Sequence, residues 1–467
     1  MISYQSTRGR AGTRSFEEVL LAGLAEDGGL FVPTSWPRLE PDDLRALHGR
    51  DYATTAARVL APFTAGCFDE AELRAMGERA YAGFGHAATA PLKQLGPEDW
   101  LLELFHGPTL AFKDFAMQLL GEMFDAVLAR RDRYLTIIGA TSGDTGAAAV
   151  RAFAGKSRIR IAMLHPDDRI SPVQRRQMTT ELSDNVLNIA VQGTFDDCQD
   201  LVKAMFADVP FRQIMQLSAV NSINWARVVA QAAYYIYAAL RLGAPERAIA
   251  FCVPSGNFGN VYAGWIAHQI GLPVAKLVVA ANSNDILARF LATGVYERAT
   301  VVPTISPSMD IQVASNFERL LFAVEGEDGA RIEALMQSFR QSGRLEPGAD
   351  GLAAIRSMFV GGRADEATTA RAMRATLEQT GELVDPHTAV ALAVASMARP
   401  EPEIPLVTLA TAHPAKFAVA VEAATGRQPA LPPAFADIHG RKERCTVLPA
   451  ELGAIQAAVR QTFGSVG

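Results

Sequence analysis

From Tyr134 onward, short apolar runs alternate with helical segments, and this alternation limits the possible folds more than any other feature of the chain. The predicted strands are Tyr134–Ile138, Ile159–Leu164, Val186–Val191, Ala248–Val253, Lys276–Ala281 and Leu406–Leu409. The helices predicted between the first four are Ala147–Ala154, Pro172–Glu181 and Phe195–Phe206. Near-continuous apolar strands separated by helices are typical of a parallel sheet covered on both faces. We therefore predict an α/β protein with mostly parallel sheets.

The first ninety-odd residues differ from the rest because their pattern is mostly helical. Helices are predicted at Phe16–Leu24, Asp42–Leu47 and Ala71–Phe84. A chain of 467 residues is long enough for two or three domains. We predict an N-terminal helical domain at 1–95 and α/β domains at 96–243 and 244–467, and we expect a largely helical insertion or layer over 329–398.

Composition and charge exclude several classes of protein. The formal net charge of −6 provides no basic surface for nucleic acid and argues against binding to anionic membranes. The most apolar candidate span, Val228–Leu240, is too short to cross a bilayer, and the N-terminus lacks the apolar stretch of a secretory signal. The four scattered cysteines, Cys67, Cys198, Cys252 and Cys445, suggest free thiols in a reducing compartment, with no metal site. We expect a cytoplasmic location.

One lysine stands out because of its apolar surroundings. Lys113 follows the turn Gly107-Pro108 and lies between Phe112 and Phe115. Burial disfavours an ammonium ion, so a lysine held there could be a free amine and form a Schiff base with an aldehyde such as pyridoxal phosphate. The alternative is a surface lysine beside Asp114 whose charged end reaches solvent.

Two glycine-rich loops follow predicted strands and precede predicted helices. The loop Pro254–Asn260 (PSGNFGN) comes before the helix Val261–Gln269, and its glycines could present backbone N–H groups to a phosphate at the helix N-terminus. The loop Gly139–Gly146 (GATSGDTG) carries three hydroxyls and suits a carboxylate or phosphate. Each could be a simple turn, but both follow strand C-termini, where parallel sheets bind ligands. Neither loop has the dinucleotide fingerprint, which disfavours a nicotinamide dehydrogenase.

A fourth segment, Thr411–Phe417 (TAHPAKF), follows the predicted strand Leu406–Leu409. The hydroxyl of Thr411 could hydrogen-bond an unprotonated pyridine nitrogen without making the ring a strong electron sink. His413 precedes a proline and is more often part of a structural turn than a catalytic group. His106 has the same two interpretations.

Together these segments resemble the threonine synthase family. The matching stretches are LELFHGPTLAFKDF (102–115), GATSGDTGAAA (139–149), NSIN (221–224), PSGNFGN (254–260) and TAHPAKF (411–417). The stretch TRSFEEVLLAGLAEDGGLFVP (13–33) resembles the longer, microbial and fungal branch of that family. The resemblance implies pyridoxal-phosphate enzyme domains of fold type II behind a helical N-terminal domain. It also implies conversion of O-phosphohomoserine and water to threonine and phosphate, the last step of threonine biosynthesis.

The resemblance implies roles for individual residues. Lys113 would hold the cofactor and then move protons at the substrate. Thr411 would face the pyridine nitrogen. The cofactor phosphate would be bound by the loop that contains Gly256, Asn257, Phe258, Gly259 and Asn260. The substrate carboxylate would be bound by Thr141, Ser142 and Thr145. Related enzymes often carry Asn where this chain has Asp144, near the phenolic oxygen of the cofactor, which leaves the role of Asp144 open.

The leaving phosphate of the substrate needs a pocket with a cation and hydroxyls. Arg169, Ser171 and Gln174 in RISPVQ are candidates, followed by Asn221, Ser222 and Asn224. Arg169 could equally be a solvated arginine near a helix start.

Two alternatives to threonine synthase are a related fold type II enzyme, such as a threonine/serine dehydratase or cysteine synthase, and a non-catalytic relative that binds phosphorylated metabolites. We expect a monomer or homodimer.

Overall fold

The structure, a computed structural model, describes residues 1–167, 170–219 and 221–464. The N-terminal part contains a two-stranded antiparallel sheet and four helices: β1 (Tyr4–Ser6), α1 (Phe16–Ala22), β2 (Phe31–Pro33), α2 (Pro41–Ala46), α3 (Tyr52–Thr64) and α4 (Glu70–Tyr81). The three predicted helices are confirmed as α1, α2 and α4. Helix α3 was not predicted, although the side chain of Asp51 caps it by accepting a hydrogen bond from Thr54 N.

The middle of the chain continues as β3 (Leu92–Gln94), β4 (Asp99–Glu103), α5 (Lys113–Arg131), β5 (Leu135–Ala140), α6 (Asp144–Phe153), β6 (Ile159–Pro166), α7 (Pro172–Thr179), β7 (Val186–Gln192), α8 (Phe195–Ala207), α9 (Val209–Met215), β8 (Leu217–Ser218), α10 (Trp225–Ala230) and α11 (Ala232–Arg241). It is followed by β9 (Ile249–Pro254), α12 (Gly259–Gln269), β10 (Val274–Ala281), α13 (Ile286–Thr293), β11 (Tyr296–Glu297), α14 (Phe317–Val324), α15 (Gly329–Ser342), β12 (Arg344–Leu345), α16 (Ala349–Met358), β13 (Phe359–Arg363), α17 (Glu366–Thr380), α18 (Pro386–Met397), β14 (Leu406–Ala410), α19 (Ala418–Thr425), β15 (Thr446–Pro449) and α20 (Leu452–Phe463). All six predicted strands are confirmed, with ends that differ by one or two residues.

Two larger sheets carry the α/β part of the fold. One has six strands in the order β13-β10-β9-β14-β4-β3, all parallel except for β3. The other has five parallel strands in the order β15-β7-β6-β5-β8. Mostly parallel sheets with helical crossovers confirm the predicted fold class.

Sheet membership does not follow the predicted domain ranges. Strands β3 and β4 precede the five-stranded sheet in the chain, yet they pair within the six-stranded sheet beside β14. Strand β15 lies near the C-terminus but pairs with β7 at the edge of the five-stranded sheet. The contiguous ranges 1–95, 96–243 and 244–467 therefore do not each contain one sheet.

The N-terminal helices share their core with the α/β part. Trp36 packs edge-on against Trp225 and Trp265, with ring centroids 6.1 and 5.3 Å away. A buried arginine, Arg319, donates to the Phe31 carbonyl oxygen at 3.0 Å. Over the described ranges, no helix is both long and apolar enough to cross a membrane.

Helix α5, whose first residue is Lys113, crosses α6 closely at Gly121. A Cβ atom on Gly121 would lie 2.5 Å from the Ala152 carbonyl oxygen, which is backbone and cannot rotate away. Gly121→Ala should therefore lower the thermal unfolding midpoint, at a cost of about 1–3 kcal/mol for overpacking, although alanine is the better helix former. In α20, Gly453 has open space around its Cβ position, so Gly453→Ala should leave the midpoint unchanged or raise it. Equal effects of the two substitutions would contradict this packing.

Candidate active site

The segments singled out in the sequence follow the C-terminal ends of parallel strands. The residues after β4, β9 and β14 begin at the C-terminal ends of these strands in the six-stranded sheet, and the loop after β5 begins at the C-terminal end of that strand in the five-stranded sheet. We call these two rows of strand ends the C-terminal edges of the sheets. Ligands of open parallel sheets bind beyond these ends. Side-chain contacts link the two edges, as described below.

Lys113 and Thr411 are held side by side by backbone hydrogen bonds. Ala111 and Ala412 form an isolated antiparallel bridge, in which Phe112 N donates to Thr411 O at 2.9 Å and His413 N donates to Leu110 O at 3.0 Å. Thr411 is 6% exposed. The backbone therefore fixes the spacing between the first residue of α5 and the residue after β14.

The turn before Lys113 is shaped by Asp114. Its carboxylate accepts hydrogen bonds from Thr109 N at 2.8 Å and from Thr109 Oγ1 at 2.6 Å. A Cβ atom on Gly107 would lie 2.5 Å from Asp114 Cβ, so glycine is required there. Burial raises the pKa of Asp114 to about 6. Asp114 thus braces the turn, and Lys113 is not a surface lysine paired with it.

A buried carboxylate between two lysines joins the two sheet edges. Asp144 Oδ2 lies 3.1 Å from Lys113 Nζ, and Asp144 Oδ1 lies 2.6 Å from Lys416 Nζ. Gln174 Nε2 donates to the same Oδ1 atom at 2.8 Å. Burial alone would raise the pKa of Asp144, but the two ammonium groups hold it well below its ordinary value. Asp144 is therefore ionised at neutral pH.

Lys113 lies in surroundings that disfavour its charged form, as its apolar neighbours in the sequence predicted. Burial lowers the pKa of its ammonium group, and the attraction of Asp144 opposes this effect only in part. Positive charge on Lys416 and Arg227 adds to the lowering. A buried amine beside a fixed carboxylate can both react with an aldehyde and exchange protons.

The loop after β9 is a candidate phosphate site. Phe258 has a left-handed backbone, with φ of +63°, and precedes α12 without giving it a side-chain cap. The first N–H groups of α12 have no acceptor within their own helix, and the helix dipole favours an anion there. Ser255 Oγ and Asn260 Nδ2 are buried and have no hydrogen-bond partner in the described parts of the chain. Such unpartnered donors fit a phosphate group.

Side chains of this loop are used to hold it in place. The ring of Phe258 packs against Phe317, 5.4 Å between centroids, so Phe258 offers only its backbone to a ligand. The amide of Asn257 donates to the Ser222 hydroxyl, and its Oδ1 accepts from Ser315 N. A Cβ atom on Gly256 would lie 3.1 Å from the Ser308 carbonyl oxygen, which explains the glycine.

In the loop after β5, one hydroxyl holds the loop backbone in place and the other two side chains are at least partly exposed. Thr141 Oγ1 accepts from Gly143 N at 3.0 Å and Gly146 N at 2.8 Å, and so fixes the loop. Ser142 is exposed and Thr145 is half-buried. These two side chains remain available to a carboxylate, whereas Thr141 shapes the backbone that presents them.

The residues predicted to bind the substrate phosphate differ in where they lie and in which hydrogen bonds they make. Arg169 lies outside the described residues. Ser171 caps α7 by accepting from Gln174 N at 3.3 Å and is half-buried. Asn224 is fully buried: its Oδ1 caps α10 at Ala226 N, and its Nδ2 donates to Leu20 O. Both side-chain atoms of Asn224 thus have protein partners that anchor α10 to the N-terminal part, which favours a structural role over the predicted substrate contact.

Sequence reasoning missed two residues that contact Asp144. Lys416 lies in the TAHPAKF segment, where a second lysine close to a predicted site was the available signal. Ser308, whose Oγ is 3.3 Å from Asp144 Oδ2, lies in a loop without a recognisable motif. Its backbone N–H donates to His387 Nε2 at 3.2 Å, and His387 Nδ1 in turn contacts Asp385 at 2.6 Å. This chain of contacts fixes Ser308 between the loop after β5, which contains Asp144, and the loop after β9, which contains Gly256.

These residues fit pyridoxal phosphate, since they offer a buried amine for its aldehyde, a hydroxyl for its ring nitrogen and a helix N-terminus for its phosphate. The site is that of a pyridoxal-phosphate enzyme of fold type II, and the family profile described as "Pyridoxal-phosphate dependent enzyme" matches residues 86–336. The profiles "Threonine synthase N terminus" and "Threonine synthase, C-terminal" match residues 3–81 and 388–459. The chain belongs to the threonine synthase family.

Individual relatives cover nine-tenths or more of the chain. The threonine synthase of Pseudomonas aeruginosa is 50% identical over 459 residues, which is 98% of each chain. The threonine synthase of Saccharomyces cerevisiae is 39% identical and covers 90% of this chain and 88% of its own. The crystal structure of pyridoxal-phosphate-bound threonine synthase from Brucella melitensis matches with a TM-score of 0.97, 50% identity and 99% coverage of both chains.

His413 is one of two histidines near the site. Its Nδ1 accepts from Ala415 N at 3.2 Å and caps a short 3-10 turn, which fits the structural interpretation. Burial lowers the pKa of His413 to about 4. His106 contacts Glu103 at 2.7 Å.

His413 should make the protein less stable in mild acid. Below about pH 6.5 His413 is protonated in the unfolded chain but stays neutral in the folded protein. The free energy of unfolding therefore falls as the pH falls towards 4. His413→Asn keeps a capping acceptor but does not titrate. Relative to the wild type, this variant should gain up to about 2 kcal/mol on going from pH 7 to pH 5, seen as a shift of its thermal midpoint. If the thermal midpoints of the two proteins differ by the same amount at pH 7 and at pH 5, the lowered pKa of His413 is contradicted.

Proposed function

We propose that this protein is a threonine synthase that converts O-phospho-L-homoserine and water to L-threonine and phosphate. One observation carries the proposal: Lys113, Asp144 and Thr411, from three separate segments of the chain, meet between the C-terminal ends of the two sheets, with the candidate phosphate-binding loop beside them. Similarity at 50% identity over 98% of the chain supports the particular reaction. Pyridoxal phosphate, when bound, supplies an aldehyde for the amino group and a ring that withdraws electrons from the substrate.

In this proposal the buried amine of Lys113 carries protons at two carbons. It removes the proton at Cα, passes that proton on, and then removes one at Cβ, so that phosphate can leave from Cγ. Protons return to Cγ and Cα as water adds its hydroxyl group at Cβ. Its lowered pKa favours the free base more than in an ordinary exposed lysine, because burial disfavours the ammonium form. Asp144 stabilises the protonated form without accepting the proton itself, because its own pKa is held low.

The remaining residues bind and orient. Thr411 would hydrogen-bond the pyridine nitrogen, and the backbone of 256–260 would hold the cofactor phosphate together with the side chain of Asn260. Asp144, fixed by Gln174 and Lys416, would lie near the phenolic oxygen. Ser142 and Thr145 receive the substrate carboxylate. We retain Ser171, with Arg169, as candidates for the substrate phosphate and leave out Asn224.

The finer biological setting is also a proposal. Cys67, Cys198, Cys252 and Cys445 are all free of disulfides, which agrees with a reducing compartment and a cytoplasmic location. We propose a monomer or homodimer and the three domains 1–95, 96–243 and 244–467, with the strand exchanges between the sheets as described above.

The proposal is tested by measuring both products. Purified protein, pyridoxal phosphate and O-phosphohomoserine should release phosphate and threonine in equal amounts. Phosphate with 2-oxobutyrate would instead indicate elimination without hydration, as in a dehydratase-like relative. No product from folded protein that shows cofactor absorbance would favour a non-catalytic binder.

Lys113→Ala should remove the visible absorbance of lysine-linked cofactor and stop turnover, because the other amine beside Asp144, that of Lys416, is held by the Thr109 carbonyl oxygen at 2.8 Å. Lys203→Ala is the matched control, since Lys203 is exposed on α8 and pairs only with Asp200 in the described structure. The control should retain both absorbance and turnover. Turnover by Lys113→Ala at the wild-type rate would overturn the assignment of Lys113.

A further inference from the structure

Lys416 is a buried lysine for which the proposed chemistry has no task. Its side chain has 0% of its surface exposed, whereas 11% of the side chain of Lys113 is exposed. A ligand in the site touches only exposed atoms, so Lys113 borders the site and Lys416 lies behind it. Lys416 is therefore not placed to contact a substrate, although its ammonium group lies one carboxylate away from Lys113.

Two acceptors fix the direction of the Lys416 ammonium group. Its Nζ atom lies 2.6 Å from Asp144 Oδ1 and donates to the Thr109 carbonyl oxygen at 2.8 Å. These contacts occupy two of the three N–H donors of an ammonium group. Thr109 is itself fixed, because its N–H and its hydroxyl both donate to the buried carboxylate of Asp114. Lys416 is thus anchored to the braced turn that precedes Lys113.

Helix α7 binds the same two acceptors from another side. Gln174 Nε2 donates to Asp144 Oδ1 at 2.8 Å, and Gln177 Nε2 donates to the Thr109 carbonyl oxygen at 3.0 Å. The two glutamines are three residues apart and so lie on one face of the helix. Both acceptors of Lys416 are therefore held by α7 as well, which leaves the ammonium group little freedom to move.

The two oxygens of Asp144 have different partners. Oδ1 is bound by Lys416 and Gln174, whereas Oδ2 lies 3.1 Å from Lys113 Nζ and 3.3 Å from Ser308 Oγ. The contacts to Oδ1 set the rotation of the carboxylate and leave only Oδ2 to Lys113. If Lys416 were removed, the carboxylate would be free to turn both oxygens towards Lys113 and to hold its proton more tightly.

The charge of Lys416 acts in the same direction as its geometry. Burial and the attraction of Asp144 are the two largest influences on the pKa of Lys113, and they oppose each other. The positive charge of Lys416 comes next and lowers this pKa, as does the charge of Arg227 from α10. Both the orientation of the carboxylate and the added positive charge therefore favour the free amine of Lys113.

We propose that Lys416 is a positioning residue that fixes the orientation of Asp144 and thereby helps Lys113 to give up its proton. It touches neither substrate nor cofactor and acts only on its charged neighbours. The inference rests on the proposed function, in which the free amine of Lys113 is the base. It assigns a role to a lysine whose segment was singled out in the sequence only for Thr411 and His413.

The first test measures the protonation of Lys113 in the full chain after removal of the cofactor. A trace amount of acetic anhydride acetylates only free amines, and peptide mass spectrometry gives the extent of labelling at Lys113 for each pH. In Lys416→Gln, the pH of half-maximal labelling should be higher than in the wild type by about one unit, because a nearby cation is lost. An unchanged labelling pH would overturn the inference.

Lys156→Gln is the matched control for this measurement. Lys156 is also a partly buried lysine paired with a carboxylate, since its Nζ lies 2.8 Å from Glu122 Oε1 and 14% of its side chain is exposed. It follows the C-terminal end of α6, whereas Asp144 begins that helix. This variant should leave the labelling pH of Lys113 unchanged. A shift equal to that of Lys416→Gln would contradict a specific role for Lys416.

Steady-state kinetics separate positioning from two other roles. In Lys416→Gln, the acidic limb of the kcat profile should move to higher pH by the same amount as the labelling, while the KM for O-phosphohomoserine changes little. A higher KM with an unchanged labelling pH would show direct contact with the substrate. A lower thermal midpoint with an unchanged labelling pH would show a purely structural lysine. Either result would overturn the inference.

A double variant keeps the inference testable if Lys416→Gln does not fold. Asp144→Asn alone leaves Lys113 and Lys416 as two buried cations without their shared carboxylate, which is costly. Asp144→Asn/Lys416→Gln removes one of these cations, so its thermal midpoint should lie above that of Asp144→Asn. A midpoint at or below that of the single variant would contradict the coupling between Lys416 and Asp144.

The wild-type assay distinguishes failure of the inference from failure of the proposed function. If the wild type makes threonine and Lys416→Gln has the wild-type labelling pH, the inference fails and the proposed function stands. If the wild type makes no threonine, the proposed function fails. The labelling of cofactor-free protein then still decides whether Lys416 controls the protonation of Lys113.

Discussion

The site depends on one interaction, the pairing of the buried Asp144 carboxylate with two lysines. Its partners belong to different elements, since Lys113 begins α5 and Lys416 follows β14. Each charge would be costly alone at this depth, so the carboxylate and its lysine partners stabilise one another. The carboxylate therefore holds the C-terminal ends of the two sheets together.

Much of the fold and of the site could be predicted from the sequence, and the physical reasons are specific. Strands β5, β6, β7, β9, β10 and β14 were predicted because buried parallel strands are continuous apolar runs. The loops at 139–146 and 254–260 were found because glycine is needed where a backbone approaches a neighbour or turns sharply. The short strands β3, β8, β13 and β15 were missed, since two to five residues at a sheet edge or beside glycines have no distinctive pattern.

Contacts between distant segments could not be predicted in the same way. Nothing near Asn224 indicates that its amide is used by Leu20, and nothing near Ser308 indicates that it lies 3.3 Å from Asp144. A polar residue in a sequence motif can be a ligand or a cap, and only its hydrogen-bond partners distinguish the two roles. Asn224 caps a helix and Thr141 braces a loop, whereas Asn260 Nδ2 has no partner among the residues that the structure describes. Sequence pattern locates such residues but does not reveal which of their atoms are already used.

The position of β14 in the six-stranded sheet has a consequence for synthesis of the chain on the ribosome. Strand β14 (406–410) lies between β9 and β4. These two strands therefore have no strand between them to pair with until β14, which begins about the last eighth of the chain, has emerged. Thr411 and Lys416 reach Lys113 only at that moment. A nascent chain therefore cannot assemble the cofactor site early, and a truncated product that ends before β14 would expose two unpaired strand edges without being able to carry out the reaction.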